Sequence, residues 1–263
     1  MRGLQRLLRA FQDRPDAPAP SWAKAVSVLV IALGLSFFCW SVLAGTQRNW
    51  TAFWEYRNLF LKGWLSTLQL AGMSLIVSSI FGILAALALR SVILPVRHLA
   101  LFYVELIRGL PFLVLILLLF YGPAEVTRNV ERFTFGVFIL SFFSGAYIAE
   151  MVRAGIESIS SSQWESARAI GLSKWQTYRF VVFPQAIRQI LPPLAGQFAS
   201  LIKDSSLLSV IGVAEFTQSA QQAFSATYSG LESFLPLGVG YLILTLPVLF
   251  LSRYLQNLLR YEH

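Results

Sequence analysis

Residues 65–89 read LSTLQLAGMSLIVSSIFGILAALAL, twenty-five positions without one Asp, Glu, Lys or Arg. About 20 mostly apolar residues in a row suffice to cross the hydrocarbon core of a bilayer as a helix. In lipid every backbone N–H and C=O must be satisfied within the chain, and a lone segment does this only as a helix. Five further stretches qualify or nearly so: 25–44, 99–121, 133–149, 191–213 and 234–251. Together they predict an all-α, polytopic transmembrane helix bundle of about six spans.

The composition agrees. Of 263 residues 56% are hydrophobic and 13% charged, against about 45–50% and 25% in soluble domains. That excludes a soluble enzyme, a disordered chain and a coiled coil. The net charge of +8 reflects where Lys and Arg are retained. With the N-terminus inside, fourteen of the 21 Lys and Arg fall in inside segments and five in outside ones, so both termini are expected to be cytoplasmic. No basic stretch interleaved with aromatics points to nucleic acid. The single Cys39 and the widely separated His98 and His263 leave no disulfide, multi-cysteine metal site or histidine centre to build. The arm at 1–24 is basic and carries Pro15, Pro18 and Pro20. The apolar stretch after it is too long for a signal-peptide core and reads as a retained helix.

The longest inside segment runs from 151 to 190. Its pattern predicts two short amphipathic helices, at 154–170 and 174–183. Gly171 breaks the first, Ser173 caps the second, and Pro184 is expected to stop it. A forty-residue segment with helices of its own is better suited to docking than to tethering.

Within that segment, ESARAIG at Glu165–Gly171 is followed after nine residues by VVFP at Val181–Pro184. This resembles the EAA loop of ABC importer permeases: EAA, three residues, G, nine residues, I-x-L-P. The spacing is kept; Ser166, Val181 and Phe183 depart in identity yet stay small or apolar. Flanking segments resemble the polar amino acid uptake branch: YVELIRGLP from Tyr103, GAYIAE from Gly145, RAG from Arg153, FPQAIR from Phe183, LPP from Leu191 and KDSSLLSVIG from Lys203. The resemblance runs from about Gly63 to Leu251.

The resemblance implies a type I ABC importer permease in a bacterial inner membrane. Its layout would be an added helix and outer loop at 25–58, the permease domain at 59–256 with the coupling loop at 151–190, and a tail at 257–263. It implies that Glu165, Ser166, Ala167, Gly171 and Pro184 couple to an ATPase, with Glu165 facing a basic rim and small residues such as Ala167 allowing close approach. The implied partners are a pair of ATPase subunits, a second copy or a paralogue of the permease, a periplasmic or lipid-anchored amino-acid-binding protein, and membrane lipid. The sequence has no G-x-x-x-x-G-K-[ST] phosphate loop, so the energy is expected to come from another polypeptide or from an ion gradient. The resemblance implies ATP and Mg on the partner ATPase and no cofactor bound by this chain.

Ionisable residues inside spans are costly and tend to be functional. Glu105 and Arg108 stand three apart on one helical face, and Lys203, Asp204 and Ser205 fall in the fifth stretch. Two readings stand open. These groups line a passage matching the ammonium and carboxylate of an amino acid, or Glu105–Arg108 and Lys203–Asp204 are structural ion pairs. Glu150 and Arg153 read as structural. Pro111 beside Gly109 marks a helix distortion. The outer segment 214–233, without Lys or Arg, is where the resemblance places the binding protein. A self-contained secondary transporter is the alternative function; it predicts an internal repeat, and none is visible. A membrane enzyme lacks its catalytic constellation.

Overall fold

The computed structural model describes residues 26–34, 36–37, 50–122 and 130–259. The chain divides into two units, Met1–Arg48 and Asn49–His263. In the first, residues 26–34 and 36–37 are helical and exposed. The expected arm, much of the expected first span, Trp22, Cys39 and the last residues of the tail lie outside the described residues.

The second unit is helical throughout its ordered elements. Helix α1 spans Trp50–Leu89. It begins inside what the sequence assigned to an outer loop ending at 58. Helices α2 (Leu94–Gly109) and α3 (Phe112–Tyr121) form a broken pair bent by 111°. Leu110 between them is extended at φ −103° and ψ 138°. A residue before proline is driven out of the helical region, so Pro111 sets the break. Helix α4 spans Arg132–Glu157. Its cap is the Glu131 carboxylate, which accepts the Phe133 and Thr134 amides at 2.9 and 2.7 Å.

Helices α5 (Ser161–Ala169) and α6 (Lys174–Thr177) follow. A π-helical turn at Tyr178–Val182 leads into α7 (Phe183–Asp204) and a 3-10 turn at Ser205–Ile211. Helices α8 (Phe216–Thr227) and α9 (Gly230–Leu259) complete the unit.

By length and composition, α1, α4 and α9 each suffice to cross a membrane, and the α2–α3 pair adds one more if counted as a broken span. The fifth expected stretch, 191–213, is divided between α7 and the 3-10 turn. Helix α7 is 22 residues long, yet Arg188, Gln189, Gln197, Lys203 and Asp204 keep it too polar to stand in lipid alone. It is held by protein instead. The Gln197 amide donates to Ser144 on α4 at 2.9 Å, and the Ser252 hydroxyl of α9 donates to the Pro192 carbonyl at 2.9 Å.

The tightest seam joins α1 to α4. Ser74, Ser78 and Gly82 recur every fourth residue on α1, and Ser141, Gly145 and Ala149 do so on α4. Small residues at that spacing let two backbones approach within a membrane, where packing rather than water exclusion drives association. Ser74 donates to the Val137 carbonyl at 3.4 Å, and Ser141 donates to the Ser74 carbonyl at 3.3 Å. A Cβ on Gly145 would sit 2.9 Å from that of Phe81. Around this seam Leu70, Ile107, Ile116, Ile139, Leu140, Leu201 and Leu208 form the core. The outward faces keep exposed Ile76, Ile80, Leu84 and Leu87, as helices bathed in lipid do.

Candidate functional site

The 151–190 loop is built differently from its sequence pattern in two places. The expected helix at 154–170 is two pieces: α4 runs on to Glu157, the chain breaks at Ser158–Ser160, and α5 begins at Ser161. Ser158 closes α4 with its amide on the Ala154 carbonyl at 2.9 Å. Nor does Pro184 stop a helix. The chain stays helical from Lys174 to Asp204, because the π-helical turn pairs the Phe183 amide with the Tyr178 carbonyl five residues back. One turn of wider helix just before Pro184 loosens the ladder that its ring and missing N–H would otherwise disrupt.

The turn between α5 and α6 follows the sequence closely. Gly171 has φ +79°. Its amide donates to Arg168 at 3.0 Å and the next amide, Leu172, to Ala167 at 3.0 Å, which is a glycine-closed helix end. Ser173 then caps α6: its hydroxyl accepts the Gln176 amide at 3.3 Å, and the Gln176 side chain accepts the Ser173 amide at 2.8 Å.

Glu165, Ser166, Gly171 and Pro184 are all exposed. Glu165 makes no bond to the described residues. Ala167 is not presented to a partner: it is buried under the loop at 3% exposure, so its small size serves internal packing. The surface that is presented is apolar and aromatic, with Ile170 76% and Trp175 71% exposed. Beside it lies a cleft of about 370 Å³ lined by Trp164, Arg168, Leu172, Lys174, Thr177 and Tyr178. Its wall is rigid: the Trp164 and Tyr178 rings meet edge to face at 5.2 Å.

The charges of the spans are not paired as their spacing suggested. Arg108 reaches across to Glu150 on α4 at 3.6 Å rather than to Glu105, and lies over the Tyr147 ring at 5.9 Å. Glu105 is exposed and unbonded among the described residues. Glu150 is also held by Arg153, whose Nε donates at 2.9 Å, and Arg153 grips Glu157 as well. Lys203 and Asp204 form no direct pair. Both line a second cleft of about 260 Å³ together with Phe143, Tyr147, Gln197 and Ser200. Ser205 is excluded from it: fully buried, it returns its hydroxyl to the Ile202 carbonyl at 2.8 Å. Sequence spacing missed Tyr147, Gln197 and Ser200. A glutamine amid Pro, Leu, Ala and Phe on α7 was the available signal.

Between α7 and α9, Glu215 is fully buried. Its carboxylate accepts the Thr217 and Gln218 amides at 2.9 and 2.7 Å and the Tyr241 hydroxyl at 2.9 Å. Thr67 donates to it at 3.4 Å and accepts the Phe216 amide at 3.0 Å. Helix α8 is thereby fixed to α1 and α9 at once. A Cβ at Gly63 would meet the Ser219 side chain and lie 2.9 Å from the Glu215 carbonyl, and one at Gly240 would strike the Phe216 ring.

Comparison with known proteins places this geometry in context. Residues 78–261 match a family model described as binding-protein-dependent transport system inner membrane component. The chain is 36% identical over 218 residues to the glutamine transport system permease protein GlnP of Escherichia coli (strain K12), covering 80% of this chain and 97% of that one. It is 38% identical over 193 residues to the nopaline transport system permease protein NocM of Agrobacterium fabrum, covering 70% and 80%. Among solved structures, an amino acid ABC transporter crystallised with histidines superposes with a TM-score of 0.76 at 34% identity, over 81% of this chain and 99% of that one. The inward-facing methionine ABC transporter MetNI, at 18% identity and a TM-score of 0.66 over 77% and 97%, shares the fold.

Proposed function

Because the chain belongs to the family of binding-protein-dependent transport system inner membrane components, we propose that it forms the membrane passage of an ATP-driven importer of a polar amino acid. It is the permease and not the ATPase, which is a separate subunit; the self-contained secondary transporter is set aside, because the family works through partner proteins. The observation that carries the substrate class is the cleft holding Lys203 and Asp204 beside Tyr147, a ring that Arg108 also lies over at 5.9 Å. A zwitterion needs a cation for its carboxylate and an anion for its ammonium. Relatives named for glutamine and nopaline transport support the same class.

The cycle follows from the connections. Two ATPase subunits bind ATP and Mg and close on each other. They draw together the docked turns at Gly171 of two permease chains, this one and a second copy or a paralogue. Helices α4 and α7, which enter and leave the loop, move with it as rigid bodies. The passage then opens outward, accepts the amino acid from a periplasmic or lipid-anchored binding protein over the uncharged 216–227 surface, and releases it inside after hydrolysis. The distribution of Lys and Arg supports a cytoplasmic position for both termini.

Uptake of labelled amino acids by vesicles holding the whole complex tests the passage. Lys203→Gln and Asp204→Asn are expected to raise KM with assembly intact. Unchanged KM and rate in both variants would remove the cleft from the path.

A further inference from the structure

Resting on the reading of the loop as the ATPase dock, we infer that the cleft between α5 and α6 is a socket for an acidic side chain of the ATPase. Arg168 and Lys174 stand on its rim and no carboxylate lines it. The Arg168 side chain spends only its Nε–H, on the Trp164 carbonyl at 3.3 Å, and the Lys174 ammonium makes no bond to the described residues. Two cations held beside an aromatic wall complement an Asp or Glu entering from a protein surface. The polarity is opposite to that expected from Glu165. That carboxylate lies one turn before Arg168 on α5, so the dock offers both signs in a fixed order. A two-sign contact sets register, since a partner rotated by one turn would set like charges together.

The socket is also prebuilt. The Gly171 turn and the Ser173–Gln176 capping bonds fix the angle between α5 and α6 without a partner. Thr177 is buried at its base and donates to the Ser173 carbonyl at 3.0 Å. An acidic side chain therefore enters a site that needs no ordering, which favours affinity.

The test is association of the detergent-solubilised permease with its ATPase across a salt series. It compares wild type, Arg168→Glu/Lys174→Glu and the neutral Arg168→Gln/Lys174→Gln. Both positions are exposed, so the fold is spared; the neutral pair separates lost attraction from added repulsion. The expected result is about tenfold weaker binding for the reversed pair, the scale of two rim charge pairs. A smaller loss is expected for the neutral pair, with a flattened salt dependence in both. Changing one acidic surface residue of the ATPase to Lys is expected to restore binding to the reversed pair. Wild-type strength and salt slope in both variants would overturn the inference. So would a loss that appears only when anionic lipid is varied, which would make the socket a headgroup site. If wild-type permease holds no ATPase at all, it is the docking reading that fails.

Discussion

Arg90, the first residue beyond α1, donates its guanidinium to the Tyr178 hydroxyl at 3.2 Å. Tyr178 is also the wall of the coupling cleft, through its contact with Trp164. The 151–190 loop is therefore joined to α1 by a side chain, in addition to α4 and α7 through the backbone. Because α1 and α4 are zipped along their small-residue seam, a pull on the loop reaches one stiff pair rather than a single helix.

Tyr178→Phe removes that hydrogen bond and keeps the ring. An exposed bond of this kind contributes about 0.5–1.5 kcal/mol. ATPase binding is expected to stay, while amino acid moved per ATP hydrolysed falls roughly two- to fivefold. An unchanged ratio in reconstituted vesicles would show that α1 follows without Arg90.

Gly171 is constrained by its backbone and not by its surroundings. A Cβ there would meet nothing within 4 Å, but φ +79° disfavours any L side chain. Gly171→Ala is expected to cost about 1 kcal/mol in the loop, Gly171→Asn less and Gly171→Val more. The order Gly, Asn, Ala, Val in ATPase co-purification checks this. A charged side chain is expected to act chiefly through φ, so Gly171→Asp should rank beside Gly171→Asn.

These two positions show what the sequence made legible. Gly171, Ser173 and the apolar runs act through local chemistry, and local chemistry can be read one turn at a time. The break at Pro111 belongs with them. Pro184 misled because a π-helical turn, invisible to a 3.6-residue period, absorbs it. The pairing of Arg108 with Glu150, 42 positions away, and the grip on Glu215 from α1 and α9 depend on which helices meet, and spacing along one helix is silent about that. The α1–α4 seam was written in the chain as Ser74-Ser78-Gly82 and Ser141-Gly145-Ala149, yet apolar runs draw the eye away from small residues within them.

Glu215 ties α8 to α1 and α9. Glu215→Ala strands the Thr217 and Gln218 amides and the Tyr241 hydroxyl in a buried site. A loss of about 2–4 kcal/mol is expected, seen as a lower Tm, with Glu215→Gln retaining part of it.

The same residue gives a pH dependence. Glu215 lies in the outer connection between α7 and α9. Burial pushes its carboxyl above the usual carboxylate range, opposed by the Thr217 and Gln218 amides and the Tyr241 hydroxyl. A carboxyl with a raised folded pKa contributes stability below its unfolded value and loses it as pH rises through the folded one. The Tm of wild type is expected to fall, relative to Glu215→Gln, as pH rises from about 4 through the values just above it. Parallel curves would contradict this.

Arg108 and Glu150 are partly exposed, at 43% and 27%, and such a pair is worth about 0–1 kcal/mol. Arg108→Gln is therefore expected to leave Tm nearly unchanged. If Arg108 attends the passage, KM for the amino acid rises severalfold in the same variant. A large drop in Tm with unchanged KM would assign the residue to structure instead.

The central claim is that this chain moves its cargo only when an ATPase grips the loop at Gly171. Vesicles holding the permease, its ATPase and the loaded binding protein test it most directly, with uptake measured under internal ATP, under an ion gradient without ATP, and with the permease alone. Uptake is expected under ATP and none in the other two arms. Gradient-driven uptake by the permease alone would contradict it.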